Sequence, residues 1–550
     1  MNATHHVRRS YLLPLAALAA VTVLLVPPAG DFPLNDDWVY AAMAKTLLEE
    51  HRFAPHPYAA AYALFQTLWG AGFCAAFGTS FTVLRASTLA LAVTAAWLTA
   101  RCAREAGAAR GMALLCGAVL FANPLFLNLS YTFMTEVPYL ALMAASGCFY
   151  LRALRRGRAA DIMLGSVFAA LAFSNRQYGV LSSVAFAGAA LTMCRTRPRL
   201  RSIAALIGPW IAVAAGFVAC GIAPASPFHR IGLAGDISRA RQIGIVLNVA
   251  FSCLPYIGLF LLPFAAAVVV RRRRWTHAQW AWCIGIAGFY ALAMLLGAQP
   301  LPRLPNMLRD AGVGPLTLYD AYFVHRGWSP VTLPAGAWRA ITIVSAISAG
   351  TLVAQWIGTV RAASRSRCRT HPIRLAQYRF LVLWAAMLLF SPLNPALTIY
   401  FDRYLLPGAV PLLVLSAAGL GGRMQVTAGV GAVVPALALY AFSLASLQDY
   451  LAWNRARWDA IAMLRTKYGA MNEQIDGGYE FNGMYTSERF RALHAEKPLH
   501  YSGERPWWVI DGVYAVSFLP RDGYVEIDRA RYRSWLRGDD AYLLLLKRSP

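Results

Sequence analysis

Residues 132–161 read TFMTEVPYLALMAASGCFYLRALRRGRAAD, and the order of parts in this stretch decides the fold. One acid, Glu136, stands before an apolar run at 138–154, four arginines (Arg152, Arg155, Arg156, Arg158) close the run, and a second apolar run starts at 161. As a helix, such a run is long enough to cross a hydrocarbon core of about 30 Å. Arginines gathered at one end of an apolar run mark the cytoplasmic end of a membrane span.

The same unit recurs in both directions along the chain. Thirteen spans are predicted, near 11–28, 81–100, 111–127, 138–154, 161–175, 179–194, 202–222, 244–268, 279–298, 336–358, 378–396, 404–420 and 426–446. A length of 550 residues would suit several soluble domains, but 58% hydrophobic and 14% charged residues with a mean hydropathy of +0.46 exclude that class. The apolar stretch at 59–77 is the exception, because a crossing there would throw every later arginine cluster onto alternating sides. It is therefore laid in the outer interface, within a first external loop at 29–80. Arg8, Arg9 and Arg423 then share one face with the clusters at 101–110, 152–158, 195–201, 271–274 and 361–379. These joints hold 24 arginines against Glu105 and Asp161, so 24 − 2 = 22 of the net +25 charges lie there. The basicity is topology with lipid headgroups as its counter-ions, and no nucleic-acid partner is expected.

An odd number of spans puts the amino terminus inside and the last hundred residues outside. The first apolar segment reads as a retained anchor, since it lacks a convincing small-residue cleavage site. Four lysines against 47 arginines, with abundant alanine, suggest a bacterial genome, hence the bacterial inner membrane and a periplasmic tail. Nine cysteines show neither metal-ligand spacing nor a disulfide framework. The fold class expected is an all-α polytopic membrane protein at 1–446 followed by a small α/β external domain at 447–550.

Acids are placed selectively. Of 26, 14 lie from Asp449 onward and five between Asp31 and Glu50, leaving seven for the residues between. An acid near a membrane boundary is costly unless paired, solvated or used. In the first external loop, Asn35 is a suitable N-cap for a helix whose Val39, Met43 and Leu47 form one stripe, with Asp36 and Asp37 at its first turn. Asp36 and Asp37 can simply complement the helix dipole, as can Glu136 behind a Thr135 cap. What argues for chemistry is that both loops face the same side.

Two external acids in successive loops, the first in an Asp36-Asp37-Trp38-Val39-Tyr40 setting, resemble the GT-C class of membrane glycosyltransferases. The pattern is similar to bacterial proteins related to dolichyl-phosphate-mannose protein mannosyltransferases and to lipid A aminoarabinose transferases. Further matches are His56-Pro57 before the interfacial segment, Phe77-Gly78-Thr79-Ser80 leading to Leu84-Arg85-Ala86-Ser87, and Arg403-Tyr404-Leu405-Leu406-Pro407 followed by Pro411. Where that class often has Asp-Glu, this chain has Asp36-Asp37, and Glu136 stands where an Asp is frequent.

The resemblance implies a polyprenyl-phosphate-linked sugar as donor and an envelope glycan, lipid or protein hydroxyl as acceptor, with inversion by one in-line displacement. Such a reaction needs a carboxylate at the acceptor proton and cations around the departing phosphate. Asp36 is the first choice of base, with Asp37 and Glu136 orienting the acceptor or the base, or sharing a divalent cation; which carboxylate acts stays open. At a helix start Asp36 is expected to be ionised and weakened as a base. For phosphate the candidates are Arg403, Arg176 and Arg85, in that order, with His56 and Tyr40 beside them. A local pair with Asp402 is the competing reading of Arg403. No cofactor is fixed by the sequence, and a divalent cation stays open.

The loop at 299–334 is long enough to be a functional lid, and no site residue is assigned in it. In the tail, 449–468 reads as a helix continuing the last span, Trp507-Trp508-Val509-Ile510 and Tyr542-Leu543-Leu544-Leu545-Leu546 read as buried strands, and 475–483 as a glycine-rich turn. Tyr479, Phe481, Trp507 and Trp508 can stack on sugars or simply form a core, and no chemistry is assigned to the tail. Two rival functions remain, a lipid-sugar flippase and a non-catalytic envelope scaffold. Spans nearly free of acids, without internal repeats, weigh against a transporter.

Overall fold

The structure is a computed structural model that describes residues 11–193, 200–219, 239–271, 275–304, 306–324, 333–365, 371–391, 400–421, 426–494 and 507–550. The arginines at 8–9, 195–199, 272–274, 367–369 and 423, and residues 325–332 of the long loop, lie outside the described residues.

A helix stands at each of the thirteen expected places. Among the described residues seven are long and apolar enough to cross a membrane, eight if a bent pair counts as one span, and Leu12–Leu25, Ala159–Asn175 and others are shorter than expected. Two predicted spans are not straight. The run at 111–127 bends by 67° between Arg110–Ala122 and Pro124–Ser130, where the Asn123 side chain accepts from the Leu125 and Phe126 N–H groups. The run at 244–268 divides into Arg239–Phe260 and Leu262–Arg271. The first break falls at Asn123, where Pro124 disfavours helical backbone in the residue before it; the second falls at Leu261, two residues before Pro263, which has no N–H to continue the helical ladder. The interfacial segment forms a helix at Leu64–Phe77, whose 14 residues rise only about 21 Å and fall short of a crossing.

One helix links the two ends of the bundle. Glu136–Arg156 begins at the candidate acid and ends in the arginine joint, about 30 Å away. At that basic end Arg152 pairs with Asp161 (3.0 Å) and Arg155 with Glu105 (2.6 Å). Gln377 donates there to the carbonyls of Glu105 and Leu151. Three arginine-bearing joints therefore share one end, with Glu105 and Gln377 linking one joint to another and Asp161 closing its own.

Helix Val426–Thr466 runs unbroken from the last span into the tail, as expected. The tail's four-stranded sheet has the order Ile475–Asp476, Tyr514–Ser517, Asp540–Arg548, Tyr524–Arg533, with the first pair parallel and the others antiparallel. The leucine-rich strand at 542–546 is present, but residues 507–510 are not a strand. Trp507 and Trp508 have φ of 54° and 61°, a left-handed backbone that leaves the extended path. The glycine-rich stretch is not only a turn either, since a helix starts at Tyr479 and runs to Leu493.

Helix contacts inside the bundle are set by small residues. At Gly258 an added Cβ would lie 1.9 Å from the Ser345 carbonyl oxygen, and Ser348 Oγ donates to the Gly258 carbonyl at 2.7 Å. Gly258→Val is expected to lower the thermal unfolding temperature in detergent, by a stability loss of about 1–3 kcal/mol or more. Gly244→Val, on the same helix with nothing within 4 Å of its Cβ position, should leave it nearly unchanged.

Candidate active site

Asp36 sits at the start of helix Asp37–Glu50, but it does not cap that helix. Asn35 has a φ of 56° and is not the cap either; Asp36 occupies that position without a side-chain cap bond. Its carboxylate turns outward. Oδ1 accepts from the Tyr479 hydroxyl at 2.8 Å, and Oδ2 lies 3.7 Å from Arg403 Nη2.

Glu136 opens the helix Glu136–Arg156, and Thr135 makes no side-chain cap bond there. Its Oε1 lies 2.7 Å from Arg176 Nη1 and 3.2 Å from Arg403 Nε. One buried carboxylate thus bridges two guanidiniums from different junctions: Arg176 after helix Ala159–Asn175, and Arg403 in the 3₁₀ turn Asp402–Leu405. The competing reading of Arg403 as a partner of Asp402 does not hold. Asp402 accepts backbone N–H bonds from Met307, Leu308 and Arg403 instead, which pins the long loop onto the start of helix Leu406–Gly419. Burial pushes its carboxyl up to about 7 against those three bonds.

The arginines are also ringed by aromatics. Arg176 lies over the Tyr404 ring at 5.2 Å, and Arg403 over Phe401 and Tyr404 at 5.1 and 5.7 Å. Buried Tyr40 adjoins the same charges, and burial raises its hydroxyl. Beyond Arg176 a cleft continues, lined by Tyr139, Tyr178, Leu388, Tyr404 and Pro407. Three buried polar atoms of the cluster, Glu136 Oε2 and Arg403 Nε and Nη1, have no hydrogen-bond partner among the described residues, the Nε contact with Glu136 being an ion pair only. A buried donor without a partner costs free energy, so an anion offering oxygens to Arg403 has something to gain there.

Exposure separates the three candidate acids. The Asp36 side chain is 26% exposed and the Glu136 side chain 2%. Asp37 is fully buried, with Oδ1 accepting from Phe133 N–H and Oδ2 from Leu34 N–H. Burial pushes Asp37 up to about 8, opposed by Arg85 and by those two bonds. It joins the loop at Leu34 to the junction at Phe133 and reaches no open space. A divalent cation shared by Asp37 and Glu136 finds no support, and among the described residues no group of three His, Cys, Asp or Glu side chains comes together to hold a metal.

Asp36 behaves differently from the expectation for a helix start. Burial raises its carboxyl above the usual range, and Arg403 and the Tyr479 hydroxyl oppose that rise. The result is a stronger base than a dipole-stabilised aspartate.

Arg85 and His56 stand apart from the cluster. Arg85 is fully buried, lies over the Phe32 ring at 4.7 Å, and donates to the carbonyls of Pro28, Gly30 and Phe32. Both terminal nitrogens hold the first loop, and Nε has no partner among the described residues, so Arg85 is placed as a loop anchor away from the cluster. His56 packs edge-on against Trp38 at 5.2 Å, and its Nδ1 accepts from the Tyr58 N–H. Burial and Arg491 push it down to about 4, so at neutral pH it carries no charge to offer a phosphate.

The tail residues that reach the site were not assigned a role from sequence. Tyr479 touches Asp36, and Glu480, fully buried, accepts from Asn35 N–H (2.8 Å), Thr317 Oγ1 (2.9 Å) and Arg457 Nη1 (2.6 Å). A signal was present at Arg457, a charge on the same helical stripe as Trp453, Ala460 and Leu464, all of them buried. Of the four tail aromatics named above, Phe481 and Trp508 are buried core and Tyr479 and Trp507 are half-exposed.

No family model and no curated protein matches the sequence. Among solved structures, the chain is similar to ArnT from Cupriavidus metallidurans bound to undecaprenyl phosphate, at 13% identity and a TM-score of 0.41, over 98% of each chain. It is also similar to the archaeal oligosaccharyltransferase AglB from Archaeoglobus fulgidus in complex with an inhibitory peptide and a dolichol-phosphate. That match has 15% identity and a TM-score of 0.41, over 92% of this chain and 61% of the other. At such values neither likeness carries those proteins' chemistry to this chain.

Replacing Arg85 separates its two readings. Arg85→Met should cost about 3 kcal/mol or more of stability, because three buried carbonyls lose a charged donor. In the protein that remains folded, polyprenyl-phosphate binding, measured by isothermal calorimetry in detergent, should be unchanged.

Proposed function

We propose that the chain is an integral membrane glycosyltransferase that moves a sugar from a polyprenyl-phosphate donor to an acceptor hydroxyl of the cell envelope. The reading implies an inner-membrane protein whose site and tail face the periplasm. One observation carries it: a part-exposed carboxylate, Asp36, stands against Arg403, which a buried glutamate, Glu136, bridges to Arg176. Base and leaving-group cations come from separate junctions, as a displacement with opposite entry and exit faces requires.

In this reading the lipid phosphate enters along the aromatic cleft and meets Arg176 and the unspent Nη1 of Arg403. Glu136 keeps both guanidiniums in one orientation, and Tyr40 closes the site behind them. The acceptor hydroxyl approaches from the open side of Asp36. Its oxygen attacks the anomeric carbon, the bond from that carbon to the phosphate oxygen breaks, and the electron pair leaves with the phosphate. The acceptor proton passes to Asp36 Oδ2 or Oδ1. Inversion follows from a single displacement, and no sugar becomes attached to the protein, in contrast to a retaining double displacement.

The test is transfer of radiolabelled sugar from a panel of polyprenyl-phosphate donors to envelope extract, with purified protein in lipid. Asp36→Asn should reduce kcat by about 100-fold or more while donor binding is retained. Arg176→Ala should instead weaken donor binding first. Binding of donor without transfer, coupled to movement of the lipid across the bilayer, would replace the proposal with the flippase.

Activity should also fall on the acid side as Asp36 takes up a proton. Because its carboxyl is raised, the midpoint of that fall should lie above the ordinary aspartate value of about 3.9. A pH profile of kcat/KM that is flat down to that value would remove Asp36 as the base.

A further inference from the structure

Adjacent residues of the external domain grip adjacent residues of the first loop. Tyr479 donates its hydroxyl to Asp36 Oδ1 at 2.8 Å, and Glu480 Oε1 accepts the backbone N–H of Asn35 at 2.8 Å. Sequence separation makes this costly to arrange, since more than four hundred residues lie between the partners. Such a contact persists only if the parts that make it are themselves fixed.

They are fixed by a buried charge. Arg457 and Glu480 are both fully buried, 2.6 Å apart, and Thr317 Oγ1 completes a triangle at 3.0 Å from the arginine and 2.9 Å from the glutamate. Arg457 lies on the helix that leaves the membrane, Glu480 opens the tail helix, and Thr317 belongs to the long loop. Tyr479 N–H donates to the Thr317 carbonyl at 2.9 Å. Gly478, at a φ of 88°, allows this approach, because a Cβ there would lie 2.5 Å from the same oxygen. A paired buried charge fixes geometry strongly, since breaking it strands the partner.

We propose that Tyr479 is a positioning residue for Asp36, anchored by the Glu480–Arg457–Thr317 triangle, so that the external domain supplies one wall of the active site. Calling that place an active site rests on the proposed function; the contact itself does not. The hydroxyl selects one orientation of the carboxylate and leaves Oδ2 towards Arg403. It also stabilises the ionised form, so its removal should make Asp36 harder to ionise. The other titratable and charged groups around Asp36 are Arg403, Glu136, Glu480, Asp37 and Tyr40, and none is changed by a substitution at Tyr479.

The experiment uses the full chain in lipid nanodiscs. A diazo reagent, which esterifies only protonated carboxyls, is applied across a pH series, and modification at Asp36 is read by peptide mass spectrometry. In Tyr479→Phe, which keeps the ring and its packing, the midpoint for Asp36 should move up by about one pH unit, the size of one charge-assisted hydrogen bond. Where sugar transfer is measurable, the acid limb of kcat should move by the same amount. An unmoved Asp36 midpoint in a folded variant overturns the proposal, whether or not the protein transfers sugar. A moved midpoint in a protein that transfers no sugar from any donor supports the positioning contact and removes the proposed function. Tyr479→Leu, which removes ring and hydroxyl together, should shift the midpoint at least as far; a shift in Leu without one in Phe would mean that packing, and not the hydroxyl, holds Asp36, and would also overturn it.

Discussion

The rest of the outer architecture depends on how Glu136 is neutralised. A carboxylate that is 2% exposed at the mouth of a helix bundle loses its hydration, and the loss is tolerable only if cations replace the water. Arg176 and Arg403 do so, and each is bound to a different junction between helices. The helix Glu136–Arg156, the turn after Asn175 and the turn before Leu406 must therefore meet at one point. The same helix ends among paired arginines at its opposite end, so its polarity sets which end of the bundle is acidic and which is basic.

Charged side chains in this protein divide according to what satisfies them. Asp37 and Asp402 spend their oxygens, and Arg85 both of its terminal nitrogens, on backbone groups, and their work is to hold loops in shape. Asp36, Arg176 and Arg403 are satisfied by other side chains and keep something in reserve, either exposed surface or an unspent nitrogen. A charge saturated by backbone cannot be lent to a substrate without unmaking the fold. A charge paired to a movable partner can exchange that partner for a ligand, which is the physical ground for treating the second group as the chemistry.

That division explains what could be read from the sequence. Apolar length was enough to place the helices, because that signal is written in composition over many residues. Asp36, Glu136, Arg176 and Arg403 were each singled out, and the structure brings them together. Asp37 and Arg85 were grouped with them because residue type cannot tell how many backbone N–H or carbonyl groups face a side chain. Trp507 to Ile510 looked like a strand because β-propensity carries no information about two consecutive positive φ angles. Tyr479 was named as an aromatic and no more, since nothing in the local sequence marks a partner 443 positions away.

The charge balance of the site adds a last step. With Asp36 ionised, its two carboxylates and two guanidiniums sum to zero, so the empty site is neutral. In the proposed reaction a lipid phosphodiester brings one negative charge and draws on Arg403, the guanidinium that otherwise restrains the rise of Asp36. A nearby anion favours the protonated form of a carboxylate. In that reaction donor binding therefore strengthens Asp36 as a base at the moment an acceptor proton has to be taken, while the Tyr479 hydroxyl favours the ionised form that receives it. The two influences oppose each other: the anion raises the carboxyl and the Tyr479 hydroxyl lowers it.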